Sequence, residues 1–289
     1  MVELTLQALY SGLLAGGSYA LIALGLALVF GTMRVINLAH GELVLLSAYI
    51  AYTAEASFRL SPLAAIPFSV LVVCATAVLI NFLVNRIRRD RELNSLILTF
   101  GIGIMITNGV LMIWKADIRT TSSAWLQEPI QFGSLYSMRG ELLFFIVSIV
   151  LLGGVWWWLN KTWYGRAVRA VSSNREAAKL MGIDPQRTEL VSFLVAGLLA
   201  AFAGVAIYSY GVVQPSLGGS LTVKAFIITV LAGMGSIAGV LVGALLIGIA
   251  EALTTTFYSS AVQELTGMLL FLLVLFVLPN GLFGGWRKR

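Results

Sequence analysis

Long apolar stretches without a single charge, separated by short polar breaks, set the pattern of this chain. Uncharged runs cover residues 4–33, 60–85, 93–114, 142–160, 190–223, 225–250 and 265–286. About 20 apolar residues carry a helix across a bilayer, so these runs predict membrane spans. Lipid offers no partners for free backbone groups, which leaves helices as the economical structure. The expected fold is an all-α integral membrane protein, a polytopic bundle of about eight transmembrane segments with Gly-broken or re-entrant helices. It is read as a single transmembrane domain over 1–289, with no soluble appendage. The first run is expected to stay in the membrane and not to be cleaved as a signal peptide. No Lys or Arg precedes it, and no short apolar region ends in a small-residue cleavage site.

Charge then orients the spans. Of 19 Lys and Arg residues, four lie in 86–91, six in 161–187 and three in 287–289. Short loops rich in these residues stay cytoplasmic, which places those three regions, and with them the C-terminus, inside. Residues 60–85 then run inward, 93–114 outward, 142–160 inward and 190–211 outward. The run from 265 must end inside, so 222–257 has to leave from and return to the outer side. Its middle, residues 232–239, reads Ala-Gly-Met-Gly-Ser-Ile-Ala-Gly. That composition fits a break between a descending and a climbing helix, and equally two helices packed closely through small residues. A second such place is 30–42. If 6–30 and 36–52 are full spans, Arg34 sits at the cytoplasmic turn and the N-terminus is outside. If 36–52 is part of a re-entrant pair, the N-terminus is inside. Paired Gly-interrupted segments point to a transport site at mid-membrane.

Composition sharpens the class. Hydrophobic residues are 59% of the chain and charged residues 11%, with a mean hydropathy of +0.93. The net charge of +6 reports topology and anionic lipid headgroups, since the basic clusters lack the interleaved aromatics of a nucleic-acid reader. Cys74 is alone, so it forms no internal disulfide, and a single histidine builds no typical metal site. No cofactor and no metal is expected. Trp156, Trp157, Trp158 and Trp163 stand where an interfacial belt belongs.

The polar candidates are few. His40 reads as a path-lining group or as a residue at a helix entrance. Glu42 and Glu251 are costly at membrane depth and so point inward or to water. Glu42 has a structural alternative in an ion pair with Arg34, and Glu251 in solvation near the outer interface. With Asn37, Gly233, Gly235 and Ser236 they make the candidate translocation path. The outward loop 115–139, with Pro129, Gly133, Trp125, Phe132 and Tyr136, reads as a docking surface or an ordered connector.

One polar stretch stands apart, 173–182, Ser-Asn-Arg-Glu-Ala-Ala-Lys-Leu-Met-Gly. Ser173 and Glu176 have capping-box spacing, Gly182 suits the left-handed residue that ends a helix, and Asp184-Pro185 starts the next one. A helix of about two turns is too short to stand alone in water. It either rests on headgroups or docks on a soluble partner.

Glu176-Ala177-Ala178, followed after three residues by Gly182, resembles the EAA loop of ABC importer permeases. Residues 37–42 (Asn-Leu-Ala-His-Gly-Glu), the Gly-rich stretch 231–248, residues 248–252 (Gly-Ile-Ala-Glu-Ala) and Pro279-Asn280-Gly281 resemble the LivH-type permease family of branched-chain amino-acid importers. The resemblance covers essentially the whole length. It departs in one place: the longer loop pattern ends in Ile-x-Leu-Pro, and here Ile183-Asp184-Pro185 follows Gly182 directly. The resemblance implies a permease subunit in a bacterial inner membrane. Ser173, Glu176, Ala177, Ala178 and Gly182 would couple it to an ATPase. Its partners would be a second, LivM-like permease, two cytoplasmic ABC ATPase subunits and a periplasmic solute-binding protein. The expected substrates are branched-chain or other apolar amino acids, with urea or short amides as the family alternative. No G-x-x-x-x-G-K-[ST] occurs, which agrees with a chain that hydrolyses no ATP itself. A channel or secondary transporter for a small neutral solute remains as the rival without an ATPase. An intramembrane protease would have to pair Ser236 with His40, and no G-x-S-x-G surrounds Ser236.

Overall fold

The computed structural model describes residues 1–87, 89–233 and 236–283, without the side chain of Ile237. Gly235 of the candidate path, Arg88 and the basic tail 287–289 lie outside these residues. The elements in chain order are α1 Val2–Met33, α2 His40–Phe58, α3 Ile66–Asn85, α4 Arg91–Trp114, the single turn α5 Ala124–Gln127, strands β1 Pro129–Phe132 and β2 Leu135–Met138, α6 Arg139–Lys161, α7 Trp163–Ser173, α8 Arg175–Leu180, α9 Pro185–Tyr210, α10 Leu217–Ala232, α11 Ile237–Phe257 and α12 Gln263–Val277. Among the described residues, seven helices are long and apolar enough to cross a membrane, and α10 is a shorter apolar one. The polytopic bundle predicted from the apolar runs is therefore present. The sheet is a local addition: four-residue strands pair antiparallel inside the 115–139 loop, turning at Gly133 with φ +66°.

Two ends of the bundle can be told apart by contacts. At one end Gln7 donates to the Tyr136 carbonyl at 2.8 Å, and Tyr10 shares a 3.0 Å hydrogen bond with Ser137. The start of α1 thus lies beside the β-hairpin. α1 has 32 residues, a length of about 48 Å, and close to its far end Thr32 bonds Ser192 near the opposite end of the bundle, where α7 and α8 sit. The first residues share the hairpin end, and Arg34 turns the chain at the other, as the two-span reading required. The helix after that turn begins at His40, however, and not at Ile36.

α1 and α9 form the centre, with most of α2 and α10 against them, and α3, α4, α6 and α12 form the rim. Rim residues such as Phe68, Leu71, Ile97, Ile149, Leu269 and Phe276 are exposed, an apolar girdle suited to lipid. At the centre, close backbone approach replaces large side chains. Gly12 and Gly16 of α1 meet α11, and a Cβ at Gly12 would stand 2.6 Å from the Ile249 Cα. This four-residue spacing of small residues packs α11 on α1 in the manner of small-xxx-small pairs. The glycines of α11 thus serve packing, and the break between α10 and α11 is a separate feature. α10 descends from the hairpin side and α11 returns to it, so 222–257 makes the expected even number of passes.

Candidate functional site

At the end opposite the hairpin, Thr162 caps α7 by accepting from the Gly165 amide at 3.1 Å. α7 buries Ala167, Val168 and Val171 against the spans, with Arg166 and Arg169 interleaved. Ser173 is its last residue and caps nothing; this corrects the capping-box reading. The cap of α8 is Asn174, whose extended backbone (φ −154°) lets its side chain accept from the Ala177 amide at 3.0 Å. Glu176 occupies the first turn, where a carboxylate favours the helix dipole. The end matches expectation: Gly182 has φ +80°, its amide donates to the Lys179 carbonyl at 3.0 Å, and the Ile183 amide reaches Ala178 at 3.0 Å. That is a Schellman closure. Asp184 then caps α9 by accepting from the Gln186 amide at 2.9 Å.

The six-residue α8 is therefore fixed from both ends, yet it buries only Ala178. Leu180 and Met181, 88% and 82% exposed, project an apolar tip away from the bundle.

The second site is at mid-depth. His40 lies against Gly25 of α1, and its Nε2 lies 2.9 Å from the Ile22 carbonyl; the level is that of Ala196, half-way along α9. From Arg34 the chain returns to this depth without helix and begins α2 there. Free backbone at such a depth must find protein partners. The Leu38 amide donates to Thr99 Oγ1 of α4 at 3.1 Å, the Ala39 amide to Asn37 Oδ1 at 3.1 Å, and the Gly41 amide to Thr222 Oγ1 of α10 at 2.9 Å. Glu42 stands between Gly103 of α4 and Gly218 of α10. Its Oε2 and His40 Nδ1 are buried without a hydrogen-bond partner. Asn37, His40 and Glu42 are thus brought together, and Glu42 is wedged between α4 and α10 and forms no ion pair with Arg34 among the described residues.

The other path candidates lie apart from them. Glu251 is 1% exposed and forms a 2.8 Å ion pair with Lys224, also accepting from Tyr19 at 2.9 Å and Gln263 at 3.0 Å. It is a buried tie between α1, α10, α11 and α12, and not a solvated interfacial residue. Gly233 and Ser236 lie at the α7–α8 end. There Ser236, Thr32, Asn160, Arg169 and Ser172 line a cavity of about 300 Å³. They do not join the mid-depth group. Sequence reading also missed Thr99, Thr222 and the carboxylate of Glu189, which takes Arg91 and Arg175 at 3.0 Å each. The available signal was an acid at the edge of an apolar run beside two basic clusters.

A rim of exposed apolar helices around a centre with a polar break at mid-depth defines a polytopic membrane protein. The chain belongs to the branched-chain amino-acid permease family: residues 8–278 match the family described as "Branched-chain amino acid transport system / permease component". It is 30% identical to the high-affinity branched-chain amino acid transport system permease proteins BraD of Pseudomonas aeruginosa and LivH of Escherichia coli K12. In both cases 96% of this chain and 95% of the relative are covered. The fructose import permease protein FrcC of Rhizobium meliloti is 26% identical, covering 86% of this chain and 75% of its own. No solved structure matches the chain. It is a permease subunit of an ABC importer, and ATP hydrolysis and solute capture reside in partner subunits.

Proposed function

We propose that this permease carries branched-chain or other apolar amino acids across a bacterial inner membrane. It would form the path with a second, LivM-like permease and be driven through α8 by a pair of cytoplasmic ATPases. The observation that carries the coupling role is α8 itself. A six-residue helix closed by Asn174 and Gly182, with Leu180 and Met181 bare at its tip, is shaped to enter an apolar cleft on a soluble partner. The Lys and Arg bias of 161–187 supports a cytoplasmic position for that end. The hairpin end then faces the periplasmic binding protein. The substrate class rests on BraD and LivH, the relatives matched over nearly their full length. It agrees with a mid-depth junction that holds small residues, hydroxyls and one carboxylate and, among the described residues, no cluster of cations for a phosphate.

The test is uptake by vesicles carrying the complete transporter and its binding protein. Gly182→Val places a β-branched side chain at φ +80°, at a cost of about 1–2 kcal/mol. It and Glu176→Arg should each abolish leucine, isoleucine and valine uptake while leaving membrane insertion intact. Wild-type uptake by both variants removes α8 from coupling. Uptake of urea or a short amide, with no entry or competition by the three amino acids, replaces the substrate class.

A further inference from the structure

α8 meets the membrane helices through little apolar surface, yet it is tied to them by a buried carboxylate. We propose that Glu189 is the positioning residue that makes α8 and the path helices move together. The proposal rests on the coupling role given to α8. Glu189 lies in the first turns of α9 and is fully buried. Its Oε1 accepts from Arg175 Nε of α8 at 3.0 Å, and its Oε2 accepts from Arg91 Nη2, the start of α4, at 3.0 Å. Arg91 Nη1 adds a longer bond to Oε1 at 3.4 Å, so its guanidinium grips the carboxylate as a fork. Arg91 also donates to Asn85 Oδ1 at 2.7 Å, and Asn85 donates to Asn81 Oδ1 at 3.1 Å, both at the end of α3. One polar chain therefore runs from α8 through α9 and α4 into α3. Among the described residues, no other ion pair joins α8 to a spanning helix.

The physics makes this a strut. Pulling Arg175 away would leave a buried carboxylate short of one of its two cations, a state that is strongly disfavoured. A displacement of α8 is therefore passed to α9 and α4 sooner than absorbed at the contact. Those two helices hold the mid-depth break. Thr99 of α4 receives the Leu38 amide at 3.1 Å, and the Ala201 carbonyl of α9 receives Ser47 of α2 at 2.6 Å. The clamp thus grips, at the cytoplasmic end, the two helices that fix the broken helix at its centre. Spatial continuity suggests the route; coupling between residues is what has to be measured.

The experiment uses the complete transporter, with its ATPases and binding protein, in proteoliposomes. Solute imported per ATP and stimulation of hydrolysis by loaded binding protein are read for Glu189→Gln, Arg175→Gln, the double variant and Arg175→Lys. Each single neutral variant should lower both readouts at least about fivefold, the lower range of coupling between two sites, while the ATPases still copurify. The double variant should be no worse than either single one, because both break one link, and Arg175→Lys should fall between wild type and Arg175→Gln. Equal falls in uptake and hydrolysis, or additive losses in the double variant, would mean a merely structural pair and overturn the proposal. Arg175 is 41% exposed at its side chain; should Glu189→Gln fail to fold, an unchanged solute-to-ATP ratio in Arg175→Gln overturns it alone. Normal ratios in these variants beside an inactive Gly182→Val would remove the strut and keep α8 as the docking helix. A wild-type preparation that retains no ATPase would remove the underlying coupling role.

Discussion

The chain leaves helical geometry at two places that look alike in sequence, 34–39, with Gly41 just beyond it, and the segment between α10 and α11. They are different in kind. The first ends at mid-depth, and its backbone is satisfied by side chains of distant helices: Thr99 takes the Leu38 amide and Thr222 takes the Gly41 amide. The second lies at the cytoplasm-facing end proposed above. Gly233, at φ +85°, ends α10, Ser236 caps α11, and the amides of Leu282 and Phe283 bond the last carbonyls of α10 at 2.8 and 3.2 Å. A break inside the bilayer needs polar side chains brought from elsewhere in the fold. A break at the end is completed by the chain that passes it. The first is consequently built as a site and the second as a turn.

The largest effect should come from Gly41. A Cβ there would overlap the Gly218 carbonyl oxygen and the Thr222 amide where α2 crosses α10. Overpacking costs about 1–3 kcal/mol or more when the neighbours are backbone that cannot rotate away. Gly41→Ala should lower the thermal midpoint in detergent and stop uptake, whereas Gly219→Ala, with open space around it, should match wild type. Equal midpoints for the two variants would show that α2 and α10 do not meet as closely as described, and the contrast between the breaks would lose its basis.

Thr222→Val comes next. The substitution keeps the shape but leaves the buried Gly41 amide without its 2.9 Å acceptor and the Leu38 carbonyl without its 3.3 Å donor. An unsatisfied buried amide costs about 1–3 kcal/mol. Thr222→Ser restores the hydroxyl and should recover most of the loss. If Val and Ser variants unfold together at the wild-type midpoint, the hydroxyl is not what holds the first break.

These differences explain what the sequence made legible. The spans were, because length and hydropathy suffice for them, and so were Gly182 and Asp184-Pro185, because helix ends are local. The start of α8 was misplaced by one residue: Ser173 and Asn174 are both capping types, and the choice fell on the one left extended once α7 had ended. α7 was missed because its buried Ala167, Val168 and Val171 alternate with Arg166 and Arg169 in a stretch read as a basic loop. The strands of the 115–139 loop are only four residues long, too short for a clear alternation. The site divided in the same way. Asn37, His40 and Glu42 are neighbours in sequence and were found together. Thr222 lies 181 residues from Gly41, and Glu189 lies 98 from Arg91, so no local pattern announces either contact. Gly233 and Ser236 were assigned to mid-membrane because composition reports a break but carries no depth.

That last point yields the smallest and most discriminating prediction. Ser236 Oγ accepts from the Gly239 amide at 3.1 Å and starts α11. Its loss in Ser236→Ala costs what a helix cap is worth, about 1 kcal/mol, a small fall in midpoint. Uptake per folded transporter should be unchanged, because the residue lines the cavity beside Arg169 and Ser172 rather than the mid-depth group. Glu42→Gln, which keeps the shape between Gly103 and Gly218 and removes the charge, should do the reverse: little change in midpoint, slower uptake and the same order of preference among solutes. If Ser236→Ala slows uptake of folded transporter while Glu42→Gln leaves it untouched, the roles of the two breaks are exchanged. The path would then run by the α10–α11 turn.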